Sequence, residues 1–93
     1  MSELSAVLVT VTGRVQGVFF RAETRNAAVS LGLTGYVRNM PEGTVQAVFQ
    51  GTDAQLEQML AWCRKGAPLS KVDRVDSRTI SYQPEMTDFQ IRY

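Results

Sequence analysis

A chain of 93 residues, 44% apolar and 20% charged, is expected to form one small globular domain, 1–93, with one core. Its net charge of +1 leaves no broad basic face for nucleic acid, and no apolar run is long enough to span a membrane. The count of zero histidines removes His-based triads, His-ligated metal sites and the usual neutral-pH general base.

The N-terminal segment, Met1 to Ser5, lacks the charged-then-apolar layout of a signal peptide. Cys63 is the one cysteine, so no intramolecular disulfide can form and a reducing, cytoplasmic location is expected. Ala6 to Val11 is an apolar run that predicts a buried strand. Next comes Gly13-Arg14-Val15-Gln16-Gly17-Val18-Phe19-Phe20-Arg21, the most informative stretch of the chain. Two glycines allow the backbone to curl so that successive N–H groups point at one centre. A helix starting near Arg21 adds free N–H groups and a partial positive charge, and the guanidinium fork matches phosphate oxygens. The Lys-Ser/Thr end of a Walker loop and the three-glycine dinucleotide fingerprint are both missing. Chemistry alone leaves two readings open here, an anion cradle or an ordinary turn followed by a solvated arginine.

Arg21 to Leu31 predicts a helix with Thr24, Ala27, Ala28 and Leu31 on one face and Gly32 as its stop. Gly35 to Asn39 predicts a short strand, Met40-Pro41-Glu42-Gly43 a turn, and Thr44 to Gln50 a strand. In that strand Val45, Ala47 and Phe49 alternate with polar neighbours, and Val48 takes the other face. Thr52 and Gln55 have the spacing of a capping box, before a helix carrying Leu56, Met59, Leu60 and Cys63 and ending at Gly66. After a loop at 67–70, Val72 to Tyr82 predicts a strand, and Phe89, Ile91 and Tyr93 alternate in a last short one.

The order βαββαβ plus a short terminal strand predicts an α+β, ferredoxin-like sandwich: one antiparallel sheet with two helices on one face. The first and second strands then run parallel with the third between them, so their C-terminal ends lie about 10 Å apart at two strand spacings. That topology brings the loop at 13–20 beside Asn39.

Val11-Thr12-Gly13-Arg14-Val15-Gln16-Gly17-Val18-Phe19-Phe20-Arg21 resembles the first signature of the acylphosphatases. Gly35-Tyr36-Val37-Arg38-Asn39, followed by Gly43, Val45 and Gly51, resembles the second. Both match at every defining position, in the right order and at the right distance. The resemblance implies hydrolysis of a small acyl phosphate to a carboxylate and inorganic phosphate, the latter a product and an inhibitor. It implies that Arg21 binds the phosphoryl group and Asn39 orients the attacking water. The backbone N–H groups of Gln16, Gly17, Val18, Phe19 and Phe20 become the phosphate cradle. No clustered Asp, Glu, His or Cys set offers metal ligands, so no metal or other cofactor is expected. A monomer that engages neither nucleic acid nor membrane completes the expectation.

The remaining marked residues read as structural. Arg14 and Arg38 are solvated surface, while Gly35, Gly43 and Gly51 are backbone devices. Phe20, Tyr36, Phe49 and Cys63 are core or pocket wall. The terminal carboxylate of Tyr93 is a candidate partner for Arg21. Two other functions share the topology or the loop. An RNA-recognition module would expose aromatics on its two central strands, where this chain offers only Phe49. An anion sensor would need the cradle but not Asn39.

Overall fold

The structure, a computed structural model, describes residues 3–93. Seven elements follow in order: β1 (Ser5–Arg14), α1 (Phe20–Ser30), β2 (Thr34–Asn39), β3 (Val45–Gly51), α2 (Asp53–Lys65), β4 (Lys71–Ile80) and β5 (Phe89–Arg92). They build one sheet in the order β4-β1-β3-β2-β5. Both β1 and β2 pair antiparallel with β3, so they run parallel to each other on either side of it. This is the ferredoxin-like arrangement that the element order implies.

The sheet is mixed, because β5 pairs parallel with β2. The antiparallel expectation describes the other four strands. The reason is geometric: β4 runs opposite to β2, so a chain that leaves β4 and turns back across the sheet arrives beside β2 in β2's own direction. Buried Gln50 on β3 catches this crossing segment. Its amide donates to the Gln83 carbonyl at 3.0 Å and to Thr34 Oγ1 at 3.1 Å, and its Oε1 accepts from the Gln83 N–H at 2.7 Å. A buried amide satisfied on both ends is stable where an unpaired one would be costly.

β1 continues three residues past the apolar run, because β4 stays alongside it to Arg14 with a register shift between Thr12 and Gly13. Gly13 therefore belongs to the strand and not to the loop. β4 in turn occupies Lys71–Ile80 and ends two residues before Tyr82.

Val9 and Val11 from β1, Val37 from β2, and Ala47 and Phe49 from β3 meet the helices in one core. Leu56, Met59 and Cys63 come down from α2 at helical spacing. Phe49 stacks on Phe89 with ring centroids 5.6 Å apart. That contact fixes β5 against the strands already in place. The capping box of α2 forms as its sequence spacing predicts: Gln55 N–H donates to Thr52 Oγ1 at 3.3 Å, and Thr52 N–H donates to Gln55 Oε1 at 2.8 Å. Such a cap contributes about 1 kcal/mol. In α1, buried Thr24 lies among apolar neighbours because its hydroxyl donates back to the Phe20 carbonyl at 2.7 Å.

Candidate active site

Five residues, 15–19, join β1 to α1. Val15 is buried and anchors the loop in the core. Gly17 turns the backbone at φ 72°, a conformation that costs a side-chain-free residue little. Phe19 then takes a left-handed conformation, φ 59° and ψ 22°, at the N-cap of α1, and no side chain caps the helix there. The neighbouring ring, Phe20, points the other way into the core, 5.7 Å from Trp62.

The consequence is a loop rich in free donors. Among the described residues, none of the N–H groups from Gln16 to Phe20 donates to a protein acceptor. The first helical N–H groups lack intrahelical partners by construction, and the helix dipole favours an anion at the same place. The N–H groups of Arg21 and Ala22 in the first turn of α1 are likewise without acceptors, and of residues 16–20 Gly17, Phe19 and Phe20 line the cleft.

Arg21 sits in the first turn of α1 and lines the same cleft. Its Nη1 donates to the Arg92 carbonyl on β5 at 3.2 Å, and its guanidinium carbon lies 4.7 Å from the centroid of the Tyr93 ring. The partners of Arg21 are therefore a main-chain carbonyl and an aromatic face, where the sequence had offered the Tyr93 carboxylate. One donor is committed to the carbonyl, and the guanidinium carries five in all. The ring attracts the cation by its quadrupole.

Asn39 is the last residue of β2, opposite Val45 of β3. Its Oδ1 is buried and has no hydrogen-bond partner among the described residues. A buried unpaired acceptor costs about 1–3 kcal/mol and is rare in a native fold. Here it belongs to a side chain that lines a cleft of about 350 Å³ together with Gly17, Phe19, Arg21, Ile91 and Tyr93. Arg21 and Asn39, far apart in sequence, thus face one space. Arg14 is exposed and Arg38 half-buried, and neither lines the cleft.

One contributor was missed in the sequence. Gln16 was credited with its backbone N–H, yet its side chain is the loop's brace. Nε2 donates to the Met40 carbonyl at 2.9 Å and to the Thr44 carbonyl at 2.8 Å. The signal was available: an amide with two donors in an otherwise apolar stretch needs two acceptors.

Away from the cleft, Cys63 is a core residue, and burial pushes its thiol up from 9.0 to about 12. Phe49 is fully buried, so the central strands β1 and β3 offer no aromatic platform for stacking bases. Among the described residues, no helix is long and apolar enough to cross a membrane.

Comparison with known proteins is consistent across sequence and structure. The sequence profile of the family described as acylphosphatase matches residues 7–91. An acylphosphatase of Syntrophobacter fumaroxidans is 46% identical over 85 residues, covering 91% of this chain and 88% of that one. One from Methylococcus capsulatus is 44% identical over 88 residues, covering 95% and 96%. Among solved structures, an acylphosphatase from Coxiella burnetii superposes with a TM-score of 0.92 at 36% identity, covering 96% of this chain and 93% of that one. The chain belongs to the acylphosphatase family, enzymes that hydrolyse acyl phosphates.

Proposed function

We propose that in this acylphosphatase the phosphoryl group rests on the backbone N–H groups of Gln16, Gly17, Val18, Phe19 and Phe20 and on the guanidinium of Arg21, while Asn39 holds the attacking water. The observation that carries this division is that Asn39, whose Oδ1 has no protein partner, lines one cleft with Arg21 and with residues of the loop of unpartnered donors.

An acyl phosphate has a good leaving group, so the protein needs to supply position and charge stabilisation more than proton transfer. The aligned N–H groups and the free arms of Arg21 take up charge on the phosphoryl oxygens. Asn39 can accept one hydrogen from the water and donate to its oxygen. Water then attacks phosphorus opposite the acyl oxygen, and the P–O bond breaks. The carboxylate leaves with the bonding pair, and the water's proton passes to a phosphoryl oxygen. A carboxylate at position 39 would repel the phosphate, whereas the neutral amide does not. Nothing in this scheme requires a histidine, a metal or another cofactor.

The same reading makes inorganic phosphate an inhibitor of its own release site. It also takes the whole of 1–93 as one domain acting as a cytoplasmic monomer. The one core and one sheet support the first point, and the single, buried, unpaired Cys63 supports a reducing location. The test is phosphate release from acetyl phosphate, with and without an excess of EDTA. Turnover is expected in both. Turnover lost to the chelator and restored by a divalent ion overturns the charge-stabilising role given to Arg21 and the loop.

A further inference from the structure

We propose that the helix-free face of the sheet is a docking surface for an acidic segment of a partner protein, with Arg38, Arg92 and Arg78 as its cations.

The alternation of each strand separates this face from the core. Val9, Val37, Ala47 and Phe89 point at the helices, so their strand neighbours point away. The register lines up Asp76, Thr10, Gln46, Arg38 and Arg92 in one row across all five strands, with Arg78 and Tyr36 in the adjoining row. Arg74 lies on the same face, opposite Thr12. The net charge of +1 conceals this gathering of arginines, because Glu23, Asp53 and Glu57 stand exposed on the helices. Arg74 is taken by Asp76 at 2.7 Å, in the one salt bridge among the described residues. Asp73 in β4, and Glu85 and Asp88 before β5, therefore bridge none of the other three arginines.

A conflict of charge is the second observation. Arg38 and Arg92 are register partners on neighbouring strands, and like charges side by side across strands are destabilising. The Arg92 guanidinium lies 4.0 Å from the centroid of the Tyr36 ring, which attracts it but neutralises nothing. A carboxylate between the two arginines removes the repulsion and takes up their forks.

One small anion does not account for the whole face. Arg78 stands three strand spacings from Arg38, about 14 Å. A chain of carboxylates crosses that distance over the neutral strip of Thr10 and Gln46. Strands β1 and β3 present no ring to a base here, and the Tyr36 ring already carries Arg92. None of the exposed large apolar side chains lies in a strand, so the face has nothing to insert into a bilayer. The face is also separate from the cleft, since Asn39 and Ile91 line the cleft while their neighbours Arg38 and Arg92 point the other way.

The test is fluorescence anisotropy of labelled decaglutamate titrated with the wild-type chain, with Arg38→Gln and Arg78→Gln singly and together, and with Arg64→Gln on the exposed side of α2. Urea unfolding checks that each chain is folded. The wild type is expected to bind, and the double variant to bind about tenfold more weakly, the scale of two exposed charge pairs. Arg64→Gln should bind as the wild type does, and decaglutamate should leave acetyl phosphate hydrolysis unaffected. Absent binding, no loss in the double variant, an equal loss in Arg64→Gln, or competitive inhibition of hydrolysis overturns the docking surface. Tighter binding of oligothymidylate or of phosphatidylserine vesicles than of decaglutamate overturns the acidic partner and gives the face to nucleic acid or to lipid.

Discussion

Gln16 reaches across from the loop at 15–19 and donates to the carbonyl of Met40 at 2.9 Å, and Met40 follows Asn39 in the chain. A second bond, to the Thr44 carbonyl at 2.8 Å, closes the brace on the far side of the same turn. The turn is itself closed by Met40 N–H donating to the Thr44 carbonyl at 2.8 Å. One side chain therefore ties the loop at 15–19 to the segment that carries Asn39. Gln16→Ala is expected to lower turnover of acetyl phosphate by roughly one to two orders of magnitude, because small misplacements of reacting groups are costly. Gln16→Glu should also lose about 1–3 kcal/mol of stability, since a carboxylate facing two carbonyls cannot donate. Steady-state kinetics with urea unfolding of each variant would expose the alternative, a Gln16 that matters only for stability.

Arg21 and Asn39 should fail in different ways. Arg21→Lys keeps the charge and loses the fork, so phosphate inhibition and turnover should weaken together. Asn39→Ala should retain phosphate affinity while turnover falls by about two orders of magnitude or more. Asn39→Asp should do no better than alanine, since its charge opposes the phosphate. Inhibition constants for phosphate beside turnover numbers decide the matter. Equal loss of phosphate binding in Asn39→Ala and Arg21→Lys contradicts the proposed division.

Phosphate and sulfate should bind the native state alone and raise Tm with concentration. A ligand at one hundred times its Kd adds about 2.7 kcal/mol, enough to see by calorimetry. The comparison is with chloride at equal ionic strength. No difference between the two salts would mean that the loop at 15–19 is not a preformed site.

Gly35 should be intolerant of any side chain. Its φ is 134°, and an added Cβ would collide with the Val48 carbonyl of the paired strand. Gly35→Ala is therefore expected to cost roughly 3 kcal/mol or more, on the scale of strained backbone plus steric overlap. Urea unfolding measures it, and a loss below about 1 kcal/mol would show that β2 and β3 part easily.

Cys63 sets a boundary at alkaline pH. Its folded thiol is raised to about 12 from 9.0, so between those values the unfolded chain ionises while the folded one stays neutral. The unfolded state then binds fewer protons, and stability falls as pH rises. The contribution is intact below pH 9 and declines by roughly 2 kcal/mol at about pH 10.5. Cys63→Ala should lose stability outright but show a shallower alkaline decline than the parent. Parallel declines would remove the thiol as the cause.

Periodicity and punctuation made most of the fold legible. Thr52 and Gln55 announced α2, Gly32 and Gly66 announced the helix ends, and the strand order followed from βαβ handedness. What escaped notice depended on contacts between distant residues. The parallel edge β5 depends on where a connection crosses, and Gln50 records that crossing without any local pattern. Asn39 and Arg21 could be marked in the sequence. The carbonyl of Arg92 could not, because a main-chain acceptor carries no residue signature. The left-handed turn at Phe19 was illegible, since bulky residues ordinarily avoid positive φ.

Arg21 finds its carbonyl partner 71 positions further along the chain. The loop at 15–19, by contrast, is braced by Gln16 over the shorter spans of 24 and 28 positions. The guanidinium acquires its aim only after β5 has paired with β2, a closure between residues such as Gly35 and Phe89 that is longer than the brace of the loop. Turnover then reports on the docking of β5. In a refolding experiment, phosphate protection should appear before hydrolysis does, and the lag between them measures how long β5 takes to dock.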